Sequence, residues 1–193
     1  MRINSVLDPF NVVMLCWAVF AAVFLFQKGP PTGAESRRDR TAFWPIAIQG
    51  VAYAIVWIMR RRPETPLFTS GSNSAFGFVA VALAIASVWW VTVSVRTLGK
   101  QWAIAARLVE GHKLITNGTY GIVRNPIYAG MLGMLISTGL VVSSWKGLAI
   151  GIVLFLIGTR WRVLVEERLL RAQFGGEFEQ YCKRVPTLIP GVW

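Results

Sequence analysis

Five uncharged apolar runs, set apart by basic connections, constrain this chain more than any other feature. They cover residues 10–26, 44–59, 75–94, 126–145 and 147–159. A helix needs about 20 residues to cross a ~30 Å hydrocarbon core. The third and fourth runs have that length, and the first two are short but continuous. The fifth is cut off after thirteen residues by Arg160 and Arg162. Thirteen residues rise only ~20 Å, so this helix carries its arginines to some membrane depth. Ionisable groups placed there usually face a cavity or a partner.

The composition agrees with a membrane solvent. Apolar residues make up 54% of the 193, and the mean hydropathy is +0.52. The net charge of +11 comes from residues clustered between the apolar runs. That placement suits loop bias and acidic lipid headgroups, and no nucleic-acid partner is expected. Asp8 and Pro9 precede the first run and no small-residue cleavage site follows, so it reads as a span and not a removable signal. Cys16 and Cys182 have neither disulfide nor metal spacing. With His112 the only histidine, no metal site is expected.

Charge counting orients the spans. If 96–124 is cytoplasmic, so are 28–43 and the tail, and together they hold fifteen of the twenty basic residues. Arg60–Arg62 run against this trend on the other face. The chain is thus read as a multi-pass protein of a plasma or inner membrane, its functional end towards the cytoplasm.

Between the fourth and fifth runs lies the short connection "SSWKG", which implies an antiparallel helical hairpin. Arg124 then stands at the start of the hairpin and Arg162 and Glu166 at its end, all on one membrane face. Arg162 and Glu166 are four residues apart and share a helix face. Arg160, Glu167 and Arg171 lie roughly 140–160° around the helix and read as an outer ladder at headgroup level. Gly175 and Gly176 break the helix, and a short helix and a proline-punctuated coil ending in Trp193 follow. No phosphate loop, Gly-rich dinucleotide turn, HExxH or CxxC is present.

The stretch "TYGIVRNPIYAG" sets Arg124 between Tyr120 and Tyr128 at the mouth of the fourth span. Locally, an anchor and a polar binding site look alike. The longer segments "GHKLITNGTYGIVRNPIYAG" and "EERLLRAQFGGEFEQYCKRVPTLIP" resemble the isoprenylcysteine carboxyl methyltransferases and their prokaryotic relatives. The resemblance starts near Gly111; the first three spans carry no comparable signature. It implies an all-α integral membrane protein of about five spans, with a C-terminal pocket for S-adenosyl-L-methionine and no Rossmann domain. In that reading 1–193 is one domain, with three spans in 1–98 and the catalytic region in 99–193.

Carried over by position, the resemblance puts cofactor contacts on His112, Lys113, Leu114, Ile115, Tyr120, Asn125, Pro126, Ile127, Tyr128 and Glu166. Arg162 falls on the substrate side, and Arg162 and Arg124 are the candidate catalytic residues, with Arg124 at the mouth of the pocket. Two departures stand out. Asn125 occupies the place of a histidine common among the enzymes, and Ala105 lies near the position of a cofactor-contacting glutamine. Asn-Pro-x-Tyr also resembles the phosphatidylethanolamine methyltransferases.

The chemistry suits these residue types. A carboxylate such as Glu166 matches an ammonium, and tyrosine rings can stack on adenine or face a sulfonium. The methyl donor arrives activated, so positioning supplies much of the rate. A carboxylate acceptor needs only a cation, which Arg162 offers; an amine acceptor would have to lose a proton. The expected partners are the lipid bilayer and a lipophilic methyl acceptor. Phospholipid N-methylation, an NADPH-dependent membrane reductase (from the "YCKRVPTLIP" tail) and a non-catalytic scaffold remain open alternatives.

Overall fold

Asp8 begins the first helix by accepting a hydrogen bond from the Phe10 N–H at 3.0 Å, with Pro9 in the first helical position. The computed structural model describes residues 8–27, 35–38, 43–61, 70–99, 107–109 and 114–189. Five apolar helices occupy the five expected runs: α1 (Pro9–Phe26), α2 (Phe43–Ile58), α3 (Ser70–Leu98), α4 (Pro126–Val142) and α5 (Trp145–Phe174). A short α6 (Gly176–Arg184) follows. By length and composition α1, α3 and α5 can cross a membrane, whereas α2 and α4 are shorter apolar helices of 16 and 17 residues. The architecture is that of a helical multi-pass membrane protein.

Two strands were not foreseen. β1 (Glu35–Arg38) pairs antiparallel with β2 (Arg107–Val109), Glu35 opposite Val109 and Arg38 opposite Arg107, with an irregularity between Glu35 and Arg37. They join the 28–43 and 96–124 connections, which charge counting had put on one face. Strands this short and basic carry no apolar alternation, so no sequence period announces them.

α4 lies at the centre of the bundle, packed by α3 and α1 on one side and by α5 and α2 on the other. The first contact is apolar: Val13, Cys16 and Phe20 of α1 meet Ala84, Val91 and Val95 of α3 and Met134 of α4. The second joins Ala52 and Val56 to Leu135, Leu148 and Phe155. Polar side chains bridge helices within these layers, as expected where lipid offers no competing partner. The Trp17 indole N–H donates to Thr138 Oγ1 at 3.0 Å, the Tyr53 hydroxyl to the Met131 carbonyl at 2.7 Å, and Ser137 to the Ala80 carbonyl at 2.8 Å.

α2 and α5 approach closely because α5 omits side chains along the seam. A Cβ on Gly151 would stand 2.6 Å from Val56 Cγ2, and one on Gly158 would be 3.0 Å from both Gln49 Cγ and the Pro45 carbonyl oxygen. At the far end of the hairpin, Ser144 caps α5 by accepting from Gly147 N–H, and its own N–H donates to the Met59 carbonyl at 2.8 Å. Arg61 donates through Nη2 to the Leu140 carbonyl at 2.8 Å and through its backbone N–H to that of Val142. One member of the cationic run that opposes the charge trend thus caps the C-terminus of α4, where the helix dipole favours a cation.

α5 is unbroken for 30 residues, or ~45 Å. The helix continues beyond Arg160, as the shared helical face of Arg162 and Glu166 implied, and its length exceeds the ~30 Å of a hydrocarbon core. It stops at Gly175, whose φ of 49° lies in the left-handed region, as the Gly-Gly pair implied. α6 then packs Phe178, Tyr181 and, just beyond it, Val185 against Leu114, Leu170 and Phe174. Its acidic residues Glu177 and Glu179 lie in the first turn, and Lys183 and Arg184 in the last, matching the helix dipole.

Candidate active site

Pro126 opens α4 at its first turn, and Arg124 and Tyr128 straddle that start four residues apart. Facing them on α5 are two successive carboxylates, Glu166 and Glu167. Adjacent helical residues point about 100° apart, so each carboxylate takes a different partner. Tyr128 donates its hydroxyl to Glu166 Oε1 at 2.5 Å, and Arg162 Nε donates to the same oxygen at 3.2 Å. The Arg162 guanidinium carbon lies 5.1 Å from the Tyr128 ring centroid, a cation–π arrangement. Arg162 and Tyr128 are both buried, whereas the Glu166 side chain is 26% exposed. Arg162 and Glu166, expected at the end of the hairpin that holds the start of α4, meet Tyr128 there.

Arg124 belongs to a different cluster. Its Nε and Nη2 donate to Glu167 Oε1 at 3.1 and 2.9 Å, Nη2 also to Thr187 Oγ1 at 2.7 Å, and Nη1 to the carbonyls of Cys182 and Val185. Its backbone N–H donates to the Pro186 carbonyl at 2.8 Å. These bonds tie the start of α4 to α5 and to the tail beyond α6. The guanidinium of Arg124, a residue expected as catalytic, is committed to protein acceptors on three segments.

Glu167 corrects the expected outer ladder. It does pair with Arg171 at 3.1 Å, and Arg160 is exposed, but Glu167 is only 6% exposed. The helical wheel gives its angle correctly. What it omits is that the tail and Arg124 close over that face, burying the acid and supplying its main cation. Arg171 extends the chain of charges to Glu179 of α6 at 2.8 Å.

The other expected cofactor residues are distributed around this core. Tyr120 is buried in a 3-10 turn (Gly118–Gly121), and its carbonyl accepts the Tyr181 hydroxyl at 2.6 Å. Burial, then the Glu166 charge and Tyr181, push its phenol far above the ordinary range, so it stays protonated. Tyr181 is raised mainly by burial too, with Arg124 pulling the other way. Asn125 is tied to the tail: its backbone N–H and its Nδ2 donate to the Thr187 carbonyl at 3.0 and 3.1 Å. The Pro126 carbonyl accepts the Trp90 indole N–H at 3.0 Å, and Ile127 packs into the α1–α3–α4 cluster. Leu114 packs against α6, and Ile115 is half-buried beside it in sequence. His112 and Lys113 lie outside the described residues, as does Ala105.

Tyr128, Glu166, Arg162 and Tyr120 therefore form one electrostatic neighbourhood. Arg124, Asn125 and Glu167 brace it. The brace escaped the sequence reading, although a Glu-Glu pair opposite an Arg four residues before a Tyr is a usable signal: one helix can offer two acids to two partners.

Residues 75–177, more than half of the chain, match the family model described as phospholipid methyltransferase. The chain belongs to that family. A probable protein-S-isoprenylcysteine O-methyltransferase of Oryza sativa subsp. indica is 29% identical over 182 residues, 90% of this chain and 95% of the relative. The protein-S-isoprenylcysteine O-methyltransferase of Schizosaccharomyces pombe is 29% identical over 64% of this chain, and the B form of Arabidopsis thaliana 33% over 46%. The chain spans about half the length of these two, 51% and 45%. Methanethiol S-methyltransferase 2 of Bradyrhizobium diazoefficiens is 26% identical over 88% of this chain and 70% of the relative. Among solved structures, the eukaryotic intramembrane Ras methyltransferase ICMT superposes with a TM-score of 0.63 at 17% identity, covering 95% of this chain and 65% of that one. At that identity the likeness is one of fold.

Proposed function

We propose that this protein is an S-adenosyl-L-methionine-dependent methyltransferase that esterifies a carboxylate on a lipophilic, isoprenylcysteine-like acceptor at the cytoplasmic side of the membrane. The observation that carries the proposal is the buried Arg162 held against Glu166 and the Tyr128 ring, just beyond the point where the uncharged run of α5 ends.

The residues present fit the cofactor. Glu166 keeps partial exposure among buried aromatics, which suits an ammonium, and Tyr128 and Tyr120 offer rings and hydroxyls beside it. Thr119, the residue before Tyr120, has a buried hydroxyl with no hydrogen-bond partner among the described residues, a group that a polar ligand would satisfy. His112, Lys113, Leu114, Ile115, Asn125, Pro126 and Ile127 complete the proposed cofactor set on the strength of the family pattern. S-adenosylmethionine, when bound, supplies a methyl group already activated on a sulfonium.

The chain's own work is then binding, orientation and exclusion of water. Arg162 orients the acceptor carboxylate with a planar fork of donors, one of which is anchored on Glu166. In a low-dielectric setting that attraction is strong. Tyr128 holds Glu166 from the other side, so the carboxylate and the cation keep fixed positions. Arg124 locks the tail across the start of α4 and keeps this geometry from opening to solvent.

An amine or thiol acceptor would need somewhere to put a proton. Glu166 already accepts from Tyr128 and Arg162, and Glu167 from Arg124 and Arg171, so neither carboxylate stands ready as a base. This favours the carboxylate acceptor over the phospholipid amine and the small thiol of the family relatives.

The test is binding of S-adenosylhomocysteine to purified protein, followed by labelled methyl transfer to S-farnesylcysteine derivatives, phosphatidylethanolamine and methanethiol. Base-labile label on the prenylcysteine carboxylate is the expected result. Transfer to the phospholipid or the thiol alone overturns the acceptor class, and binding of NADPH in place of S-adenosylhomocysteine overturns the enzyme class.

A further inference from the structure

Gln49 is a primary amide in the apolar second helix and is 2% exposed. Its Nε2 donates to Thr159 Oγ1 of α5 at 2.8 Å, while its Oε1 is buried and accepts no hydrogen bond among the described residues. Buried carbonyl oxygens are nearly always satisfied, and inside a bilayer no bulk water replaces a missing donor. The seam is also built to bring this amide close, since Gly158 leaves only enough room for the Gln49 stem.

The position of the pair on α5 connects it with Arg162. Thr159, Arg162 and Glu166 fall within about 60° of arc on one helix face. They form a polar stripe of which Thr159 is fully buried and Arg162 nearly so. Thr159 lies three residues before Arg162, ~4.5 Å deeper along the helix. Gln49, bonded to Thr159, therefore meets α5 about one turn before Arg162 and on the same face.

We infer that Gln49 is a specificity-determining residue that accepts a hydrogen bond from an N–H of the methyl acceptor, a donor placed next to the carboxylate that Arg162 holds. An amide nitrogen on the carbon bearing a carboxylate lies about 2.5 Å from the carboxylate carbon, and its hydrogen bond reaches ~2.9 Å further, a span comparable with the ~4.5 Å rise from Thr159 to Arg162. Thr159 acts through Gln49 as a positioning residue, fixing the amide's orientation. The inference rests on the carboxylate reading above and narrows it to acceptors that carry an acylamino group beside the acid. A plain thioether acid leaves the Gln49 oxygen unpaired, and sites built to pair a polar group reject analogues that lack it.

Two probes that differ only in this group test it: N-acetyl-S-farnesylcysteine and S-farnesyl-3-mercaptopropionic acid. Equilibrium binding of each is measured on the full protein in lipid nanodiscs saturated with S-adenosylhomocysteine. The wild type should bind the acetamido compound at least about tenfold more tightly. Gln49→Met, similar in shape but unable to pair with the N–H, should bring the ratio close to one, mainly by weakening the acetamido compound. Thr159→Val should reduce the ratio partway, with S-adenosylhomocysteine affinity unchanged in both variants. A wild-type ratio near one, or an unchanged ratio in Gln49→Met, overturns the role of Gln49 while leaving the carboxylate reading intact. Failure of both probes to bind the wild type overturns the carboxylate reading and this inference with it. Should Gln49→Met not fold, the wild-type and Thr159→Val ratios decide the matter.

Discussion

Replacing Glu166 and Glu167 separately by Ala should damage the protein in two different ways, although the residues are neighbours. Glu167 is the sharper case. Its side chain is 8% exposed and faces Arg124, itself 12% exposed, at 2.9 Å. Removing one partner of a buried ion pair costs about 3–5 kcal/mol, because the other charge is left uncompensated. Arg124 keeps three further acceptors, Cys182 and Val185 carbonyls and Thr187 Oγ1, which moves the expected loss to the lower end, ~3 kcal/mol. Arg171, 43% exposed, contributes only the ~0–1 kcal/mol of a surface pair. Glu166 bonds to Tyr128 and Arg162, so Glu166→Ala should weaken S-adenosylhomocysteine binding at least tenfold, ~1.4 kcal/mol, with a smaller stability loss. Unfolding of detergent-solubilised protein, read by tryptophan fluorescence against denaturant, gives the stabilities, and calorimetric titration gives the affinities. A double-mutant cycle with Arg124→Met isolates the Arg124–Glu167 coupling. Equal stability losses in Glu167→Ala and Arg171→Ala would refute the brace, and equal affinity losses in the two glutamate variants, corrected for folded fraction, would refute the division of roles.

Arg162→Ala should abolish methyl transfer while sparing cofactor affinity, Arg162→Lys should restore only part of the rate, and Arg160→Ala should retain it; near-normal turnover in Arg162→Ala removes the carboxylate clamp. A single cysteine at Gly118, in a background with Cys16 and Cys182 replaced, should be protected from an impermeant thiol reagent in intact cells, and ready labelling would reverse the topology. The buried phenols of Tyr120 and Tyr181 both have raised pKa values, chiefly from burial. Below ~pH 10 both are neutral in the folded and unfolded chain and add no pH dependence. Above it the unfolded chain loses protons that the folded chain keeps, so stability should fall by up to ~1.4 kcal/mol per pH unit for each phenol. Phenolate absorbance should accordingly rise with unfolding, and Tyr181→Phe should flatten the alkaline loss; early ionisation in the folded protein would contradict the burial.

The parts of this molecule written as hydropathy were readable in advance. Uncharged runs mark α1 to α5, the short "SSWKG" link makes α4 and α5 a hairpin, and Gly175 ends α5 where glycine's left-handed backbone is needed. The Tyr128–Glu166–Arg162 cluster was half readable: i,i+4 spacing pairs Arg162 with Glu166, and the hairpin returns both to the start of α4. Glu167 was misjudged because a helical wheel ranks faces by chemistry and cannot see a tail folding back over one of them. The contacts that bury it, from Arg124 to residues 182–187, join segments about 60 residues apart, and no local period encodes such a closure. Gln49 was visible as an amide within an apolar run. Its meaning came only with its partner, since the α2–α5 seam pairs positions 110 residues apart.

The unbroken α5 has a mechanical consequence. Arg162 and Glu166 are fixed to the same rod as Trp145, which lies at the opposite end of the hairpin. The rise between Trp145 and Arg162 is ~26 Å, and it cannot stretch to match its surroundings. A thicker bilayer draws the cation below the headgroups, and a thinner one lifts it into water, unless the rod tilts. Because glycines clamp α2 to α5, any tilt moves Gln49 with it and preserves their spacing. On the proposed reading, acyl-chain length becomes a variable of the reaction: the lipid sets how deep the chemistry sits, while the protein keeps its internal distances constant.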